Sequence, residues 1–193
     1  MIKLLETIRV ENKKALHLNY HNRRLNSSRK KLFGLSKEIK IEDFIPTISD
    51  SKIYRLRVIY SKEIEKVELI PYQKKIPKTF RLVEFDGDYS FKYLNRDKFE
   101  SLKRDNQDVD ELILVKDGKL TDTTITNIAL LIGNCWFTPK YPLLKGTTRE
   151  RFLNNQTLKL KDLYPEDLKR AKRVAVLNAM IRFLVLDKFL IKD

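Results

Sequence analysis

Three short segments of the sequence carry side chains that could take part in chemistry, and the first centres on a lysine. Lys92 lies between two aromatic residues, Phe91 and Tyr93. An aromatic, partly desolvated setting lowers the pKa of a lysine and frees its amine to attack an aldehyde carbon. Most lysines lie on protein surfaces, so this residue alone is compatible with a surface amine as well as with a nucleophile.

The second segment is a predicted helix start at Gly146-Thr147-Thr148-Arg149, where a helix over 147–154 begins. The first turn of a helix offers unpaired backbone N–H groups and the positive end of the helix dipole. Threonine hydroxyls add further donors, and together these groups suit a phosphate. An ordinary helix cap would use the same residues.

The third segment contains Asp122, within a threonine-rich stretch between predicted strands. A carboxylate in such a place could form an ion pair with a pyridinium nitrogen. A simple turn aspartate is the structural alternative.

The composition predicts a globular protein without disulfides, bound metal or a membrane span. Hydrophobic residues make up 42% of the 193 residues, enough for a sizeable core, and no apolar run reaches the roughly 20 residues that cross a bilayer. Cys135 is the one cysteine, and with His17 and His21 it does not make a zinc set. The start of the chain lacks the pattern of a signal peptide, so we expect a cytoplasmic protein.

The formal charge of +14 raises the question of nucleic-acid binding. The basic residues are spread along the whole chain and alternate with acidic ones, which is typical of a solvated lysine-rich surface. The sequence also lacks a helix-turn-helix, zinc-finger or aromatic RNA-binding pattern. We therefore expect a small anionic substrate as the partner and no nucleic acid.

The hydrophobic pattern predicts an α+β fold with two domains, 1–74 and 75–193, and a cleft between them. In the first domain we expect strands over 2–10, 15–19, 53–60 and 67–72, and a helix over 21–33 that ends at Gly34. In the second we expect helices over 97–106 and 147–154, and strands over 79–85, 111–115, 127–132, 135–138, 173–177 and 181–191.

The order and spacing of several motifs resemble the aminotransferase class IV family, the pyridoxal-phosphate (PLP) enzymes with the D-amino-acid-aminotransferase fold. The resemblance covers almost the whole chain. Its motifs are Leu5-Glu6-Thr7-Ile8-Arg9, His21-Asn22-Arg23-Arg24-Leu25, Lys92-Tyr93-Leu94-Asn95-Arg96, the block from Asp110 to Arg149, and Asn178-Ala179. The residues around the lysine are most similar to the corresponding segment of the aminodeoxychorismate lyases in this family.

The resemblance implies a set of residues that hold the cofactor phosphate. Arg24 would grip it with a bidentate fork. The backbone of Thr147 and Thr148 would hold the same phosphate, and the loop Asn178-Ala179 would add a contact on that side.

The resemblance also implies residues for the chemistry. Lys92 would carry PLP and move the proton, Asp122 would face the pyridine nitrogen, and Thr7 would assist proton transfer. Two features depart from the family pattern. Asp122 stands where glutamate is usual, and the N-terminus lacks the strand and the glycine-rich stretch that usually precede the threonine strand.

Three functions follow as expectations. The leading one is a 4-amino-4-deoxychorismate lyase that releases pyruvate and 4-aminobenzoate, a step towards folate. The alternatives are an aminotransferase for branched-chain or D-amino acids, and a cofactor-free binding protein that kept the fold. Arg9, Arg57 and Arg96 are candidates to bind the substrate carboxylates, and the family implies a homodimer.

Overall fold

The computed structural model describes residues 2–192, which form two compact units. Of these, the first unit contains residues 2–74 together with 91–95, and the second contains 75–90 and 96–192. The predicted assignment of all of 75–193 to one domain is therefore wrong for the segment that carries Lys92. The reason is backbone pairing, because Leu5 donates to the Lys92 carbonyl and Leu94 donates to the Lys3 carbonyl, both at 2.9 Å.

The first unit is a four-stranded antiparallel sheet packed against one long helix. The sheet order is β2-β1-β3-β4. The elements are β1 (Leu4–Glu11), β2 (Lys14–Ala15), α1 (Leu18–Phe33), a short 3-10 helix (Ile41–Phe44), β3 (Tyr54–Tyr60) and β4 (Ile64–Pro71). As predicted, Gly34 ends α1, and its φ of 71° is in the left-handed region that favours glycine.

The two faces of this sheet differ in character. Alternate residues of β1, among them Leu4 and Ile8, are buried in a core that Leu25 of α1 joins. Side chains alternate along a strand, so Thr7 and Arg9 lie on the opposite face. Pairing of β1 with β3 places Thr7 opposite Arg57. The face turned away from α1 thus carries several basic side chains, beside the apolar pair of Leu5 and Ile59.

The predicted strand over 15–19 is wrong. Pairing in β2 stops at Ala15, and α1 begins at Leu18, earlier than the predicted start at His21. Asn12 and Lys13 both have positive φ, so the chain reverses in a tight turn. His17 is also left-handed, with a φ of 58°, and redirects the chain into the helix.

The second unit is built on a nine-stranded mixed sheet. Its main order is β10-β9-β8-β7-β6-β5-β13, and β11 pairs with both β8 and β12. The strands are β5 (Thr79–Glu84), β6 (Glu111–Lys116), β7 (Lys119–Thr123), β8 (Asn127–Ile132), β9 (Cys135–Pro139), β10 (Leu158–Lys161), β11 (Arg173–Asn178), β12 (Arg182–Val185) and β13 (Leu190–Ile191). The helices are α2 (Asp97–Arg104), α3 (Thr147–Asn154) and α4 (Pro165–Arg170).

The predicted closing strand over 181–191 is wrong, because two strands occupy that range. β12 pairs antiparallel with β11, whereas β13 pairs in parallel with β5. Arg182 has a φ of 63°, which places a turn at the start of β12. The prediction also missed β7, β10 and α4, which are short and carry alternating charges or threonines instead of an apolar run.

Within residues 2–192, helices are too short or too polar to span a membrane. No group of three potential metal-binding side chains comes together in the same described range.

Candidate active site

A buried ion-pair network joins β1 to α1. Arg24 donates from Nε to Glu6 Oε1 at 2.7 Å and from Nη2 to Oε2 at 2.6 Å. His21 Nδ1 lies 2.6 Å from the same Oε2. A carboxylate can only accept, so the Nδ1 atom of His21 carries the proton. Glu6 stands at an inward position of an otherwise apolar strand face, which requires partners of this kind.

The protonation states in this network follow from burial and charge. Burial by itself raises the pKa of Glu6, but the charge of Arg24 and the hydrogen bonds from His21 and Arg24 outweigh it, and the pKa falls to about 2. Burial lowers the pKa of His21 below its usual value, against the opposing effect of Glu6. The network therefore holds an ionised glutamate and a neutral imidazole at neutral pH.

Lys92 belongs to the same unit and lies near this network. Its segment runs antiparallel to the start of β1, with Tyr93 opposite Leu4. The Tyr93 N–H bonds to the Phe91 carbonyl at 2.9 Å, so Lys92 is the central residue of a γ-turn. Both aromatic rings pack against the core of the unit, and the charge of Lys92 contributes to lowering the pKa of His21.

The predicted role of Arg24 needs a different geometry from the one expected. The bidentate fork that we assigned to the cofactor phosphate is engaged by Glu6, through Nε and Nη2. A phosphate would have to approach on the Nη1 side of the guanidinium. The Arg24 side chain is 15% exposed, so it is held by the protein and does not extend into bulk solvent.

In the second unit, the Asp122 side chain is hydrogen-bonded to the start of β8 and to the loop that precedes α3. Its Oδ1 accepts from Asn127 Nδ2 at 2.6 Å, and its Oδ2 accepts from the Leu144 N–H at 2.8 Å. The backbone of Leu143 contributes a further hydrogen bond. Burial raises the pKa of Asp122 to about 6, although these donors and the charge of Arg149 favour the ionised form.

The start of α3 has the features of an anion site. Gly146 caps the helix without a side-chain hydrogen bond, and Thr147 and Thr148 are buried. A Cβ on residue 146 would lie 2.0 Å from Asn127 Oδ1, so only glycine fits against that side chain. The prediction of a helix over Thr147–Asn154 is confirmed.

The turn after β11 reaches the same end of the sheet. Leu177 pairs with Asn127, so Asn178 follows directly beside the start of β8. Asn178 Oδ1 accepts from the N–H groups of Met180 and Ile181, both at 2.9 Å. The side chain of Asn178 therefore shapes the turn that contains Ala179, and any contact with a phosphate would come from the backbone of that turn.

The predicted residues thus form two groups, one in each unit. Thr7, Arg24 and Lys92 lie in the first, together with the network residues Glu6 and His21, to which no role was assigned. Asp122, Thr147, Thr148, Asn178 and Ala179 lie in the second. The sequence-based prediction gave no role to Glu6 or Asn127. A charged residue within an apolar strand is the signal that could have indicated Glu6, whereas Asn127 meets Gly146 only in the folded structure.

Comparison with known proteins agrees with this architecture. The family model described as amino-transferase class IV matches residues 90–186. A Haemophilus influenzae protein of uncharacterised function is 33% identical over 186 residues, which is 93% of this chain and 98% of that protein.

Two solved structures are similar over nearly the whole chain. The crystal structure of a candidate 4-amino-4-deoxychorismate lyase from Haemophilus somnus 129PT has a TM-score of 0.85 and 29% identity, covering 93% of this chain and 97% of that one. The PLP-bound form of a hypothetical aminotransferase from Mycobacterium tuberculosis has a TM-score of 0.80 and 19% identity, covering 97% and 81%. The predicted α+β fold is confirmed, and the chain belongs to the amino-transferase class IV family of PLP-dependent enzymes.

Proposed function

We propose that this protein is a PLP-dependent 4-amino-4-deoxychorismate lyase. The observation that carries the proposal is the position of Lys92, which two backbone hydrogen bonds hold against the start of β1, close to the network of Glu6, His21 and Arg24. Thr7 follows Glu6 on the same strand. The likeness to the Haemophilus somnus candidate lyase over nearly the full length supports this choice of reaction.

The residues present fit the cofactor. Lys92 would hold it covalently through its ε-amine, and Arg24 and the N-terminus of α3 would bind its phosphate. Asp122 accepts hydrogen bonds from Asn127 and Leu144 of the second unit, and a carboxylate, which has about four acceptor sites, can accept a further one from a pyridinium N–H. When bound, PLP would supply an electron sink for the charge that develops on the substrate.

The side chains of this protein would then handle the protons. The amine of Lys92 would remove the proton from the ring carbon that bears the substrate nitrogen. The hydroxyl of Thr7 would deliver a proton to the departing enolpyruvate, which leaves as pyruvate while the ring becomes aromatic. The ionised Glu6 would keep Arg24 in place, and the neutral His21 adds no positive charge beside Lys92.

The test is pyruvate release from 4-amino-4-deoxychorismate by the PLP-loaded protein, with no keto acid added. We expect many turnovers per active site. Thr7→Val should lower the rate by roughly 100-fold if the hydroxyl acts as a general acid. Thr157→Val, at an exposed position, is the matched control and should leave the rate unchanged.

An aminotransferase is the second candidate, supported by the family description and by the likeness to the Mycobacterium tuberculosis structure. Such an enzyme stops after one turnover until a keto acid arrives. If branched-chain or D-amino acids convert the cofactor stoichiometrically to its amine form and 4-amino-4-deoxychorismate yields no pyruvate, the lyase proposal is wrong and this function replaces it.

A further inference from the structure

One face of the first unit carries more basic side chains than acidic ones, so its positive charge is not fully balanced. We call it the arginine face; it is the side of the β1-β3-β4 sheet turned away from α1. Arg9 on β1 lies directly opposite Arg55 on β3. Like charges in directly opposed positions destabilise a sheet unless an anion lies between them.

The arginines of this face differ in their partners. Arg9 pairs with Glu11 at 3.2 Å, and Arg57 pairs with Glu68 at 2.9 Å. The Nε atom of Arg55 is buried and has no hydrogen-bond partner among residues 2–192. A buried guanidinium N–H without an acceptor is costly, so the position of Arg55 is suited to a ligand that brings one.

Tyr72 lies beside the same two arginines. Its N–H bonds to the Ile53 carbonyl, which extends the β3–β4 pairing by one step, and alternation from Pro71 places its ring on the arginine face. Burial raises the pKa of Tyr72, and the charges that oppose this effect are those of Arg9 and Arg55. The phenol therefore remains a protonated hydrogen-bond donor next to two guanidinium groups.

We propose that Arg55, together with Tyr72 and Arg9, binds a carboxylate group of the substrate and makes the enzyme selective for dicarboxylates. This inference rests on the proposed function. It places the carboxylate on the face that carries Thr7, because Thr7 and Arg9 are alternate residues of β1 and share the arginine face. A planar carboxylate matches the two parallel N–H donors of a guanidinium, and a phenol adds a third donor.

Arg55 was absent from the candidates that the sequence indicated. Arg57 is paired with Glu68, which also pairs with Lys66 at 2.7 Å. Arg96 donates to the Thr124 carbonyl at 2.7 Å and to the Tyr89 hydroxyl at 3.0 Å, and it lies over the Phe99 ring. Of Arg9, Arg55, Arg57 and Arg96, Arg55 alone has a buried Nε atom without a hydrogen-bond partner in the described part of the chain, so the assignment goes to Arg55, and Arg9, which is paired with Glu11, adds its charge beside it.

The test compares Arg55→Gln with the PLP-loaded wild type. We expect the KM for 4-amino-4-deoxychorismate to rise roughly 10- to 100-fold, the loss expected for a charged hydrogen bond, with kcat within about 3-fold. Tyr72→Phe should raise KM less, and Arg55→Lys should recover part of the loss because it keeps the charge without the fork. Arg81→Gln removes an arginine that is already paired with Asp108 and should leave KM unchanged.

A binding experiment separates this inference from the proposed reaction. Chorismate has the same two carboxylates without the amine, and its Kd can be measured by calorimetry whether or not turnover occurs. If the wild type binds chorismate and both Arg55→Gln and Tyr72→Phe weaken it, the carboxylate site stands even if no lyase activity is found. An unchanged KM and an unchanged chorismate Kd in the folded Arg55→Gln or Arg55→Lys protein overturn the inference, while the lyase proposal survives.

Discussion

The carboxylate of Glu6 accepts both hydrogen bonds of the Arg24 fork, at 2.7 and 2.6 Å, in a position with no exposure to solvent. This relationship ties the first strand to the first helix. It also fixes the orientation of the guanidinium that would meet an incoming phosphate. Because His21 bonds to the same carboxylate, the three side chains act as one unit.

Glu6→Ala should therefore destabilise the protein strongly. Removing one partner of a buried ion pair leaves a buried charge uncompensated, which typically costs about 3–5 kcal/mol. Urea unfolding of the cofactor-free protein measures the difference. Glu65→Ala is the control, because the pair of Glu65 with Lys3 is partly solvent-exposed and should contribute far less to stability. Equal losses in the two variants would contradict the assigned importance of the network.

Lys92 should be the residue that binds PLP covalently. Borohydride reduction followed by peptide mapping should place the pyridoxyl group on Lys92, and Lys92→Ala should remove the visible absorbance of the loaded protein. Lys98→Ala, an exposed lysine of α2, should leave both unchanged. A label found on another lysine would end the assignment.

His21 should make folding stability depend on pH below its usual pKa near 6.5. Its pKa is lowered in the folded protein, so the unfolded chain binds the proton first and stability falls as pH decreases through about 6.5. The effect of one proton is at most about 1.4 kcal/mol per pH unit. The stability difference between the wild type and His21→Gln should shrink from pH 7.5 to 5.5.

The control for this measurement is His17→Gln, since His17 is exposed. Asp122 titrates in the opposite sense, because a raised pKa costs stability as pH rises through about 6. It contributes equally to the wild type and the His21 variant, so it cancels in their difference. A pH-independent difference would show that His21 is not held neutral.

Gly146→Ala should disturb the start of α3. The added Cβ would lie 2.0 Å from Asn127 Oδ1, and overpacking of this kind costs about 1–3 kcal/mol. PLP affinity should fall as well, because the displaced backbone belongs to the proposed phosphate site. In the double variant with Asn127→Ser the space is relieved, so the two losses should be less than additive. Full additivity would mean that the contact is unimportant.

The sequence by itself determined the family and the types of most of the longer elements. The helix over Thr147–Asn154 and the strand over Asn127–Ile132 form where predicted, because the N-cap Gly146 marks the helix start and the continuous apolar run of the strand is a local signal. The motif order indicated the class IV family, which the comparisons confirm. Short elements such as β10 failed, because their charged residues become strands only through a partner strand distant in sequence.

Tertiary structure alone decided which side chains meet. The sequence could not show that the fork of Arg24 is engaged by Glu6, since the two residues are 18 positions apart and belong to different elements. Nor could it show that Arg55 lies opposite Arg9, because strand register depends on the β1–β3 pairing across more than 40 residues. The interaction between two charges depends on the distance between them, and residues remote in sequence come close only when the chain folds.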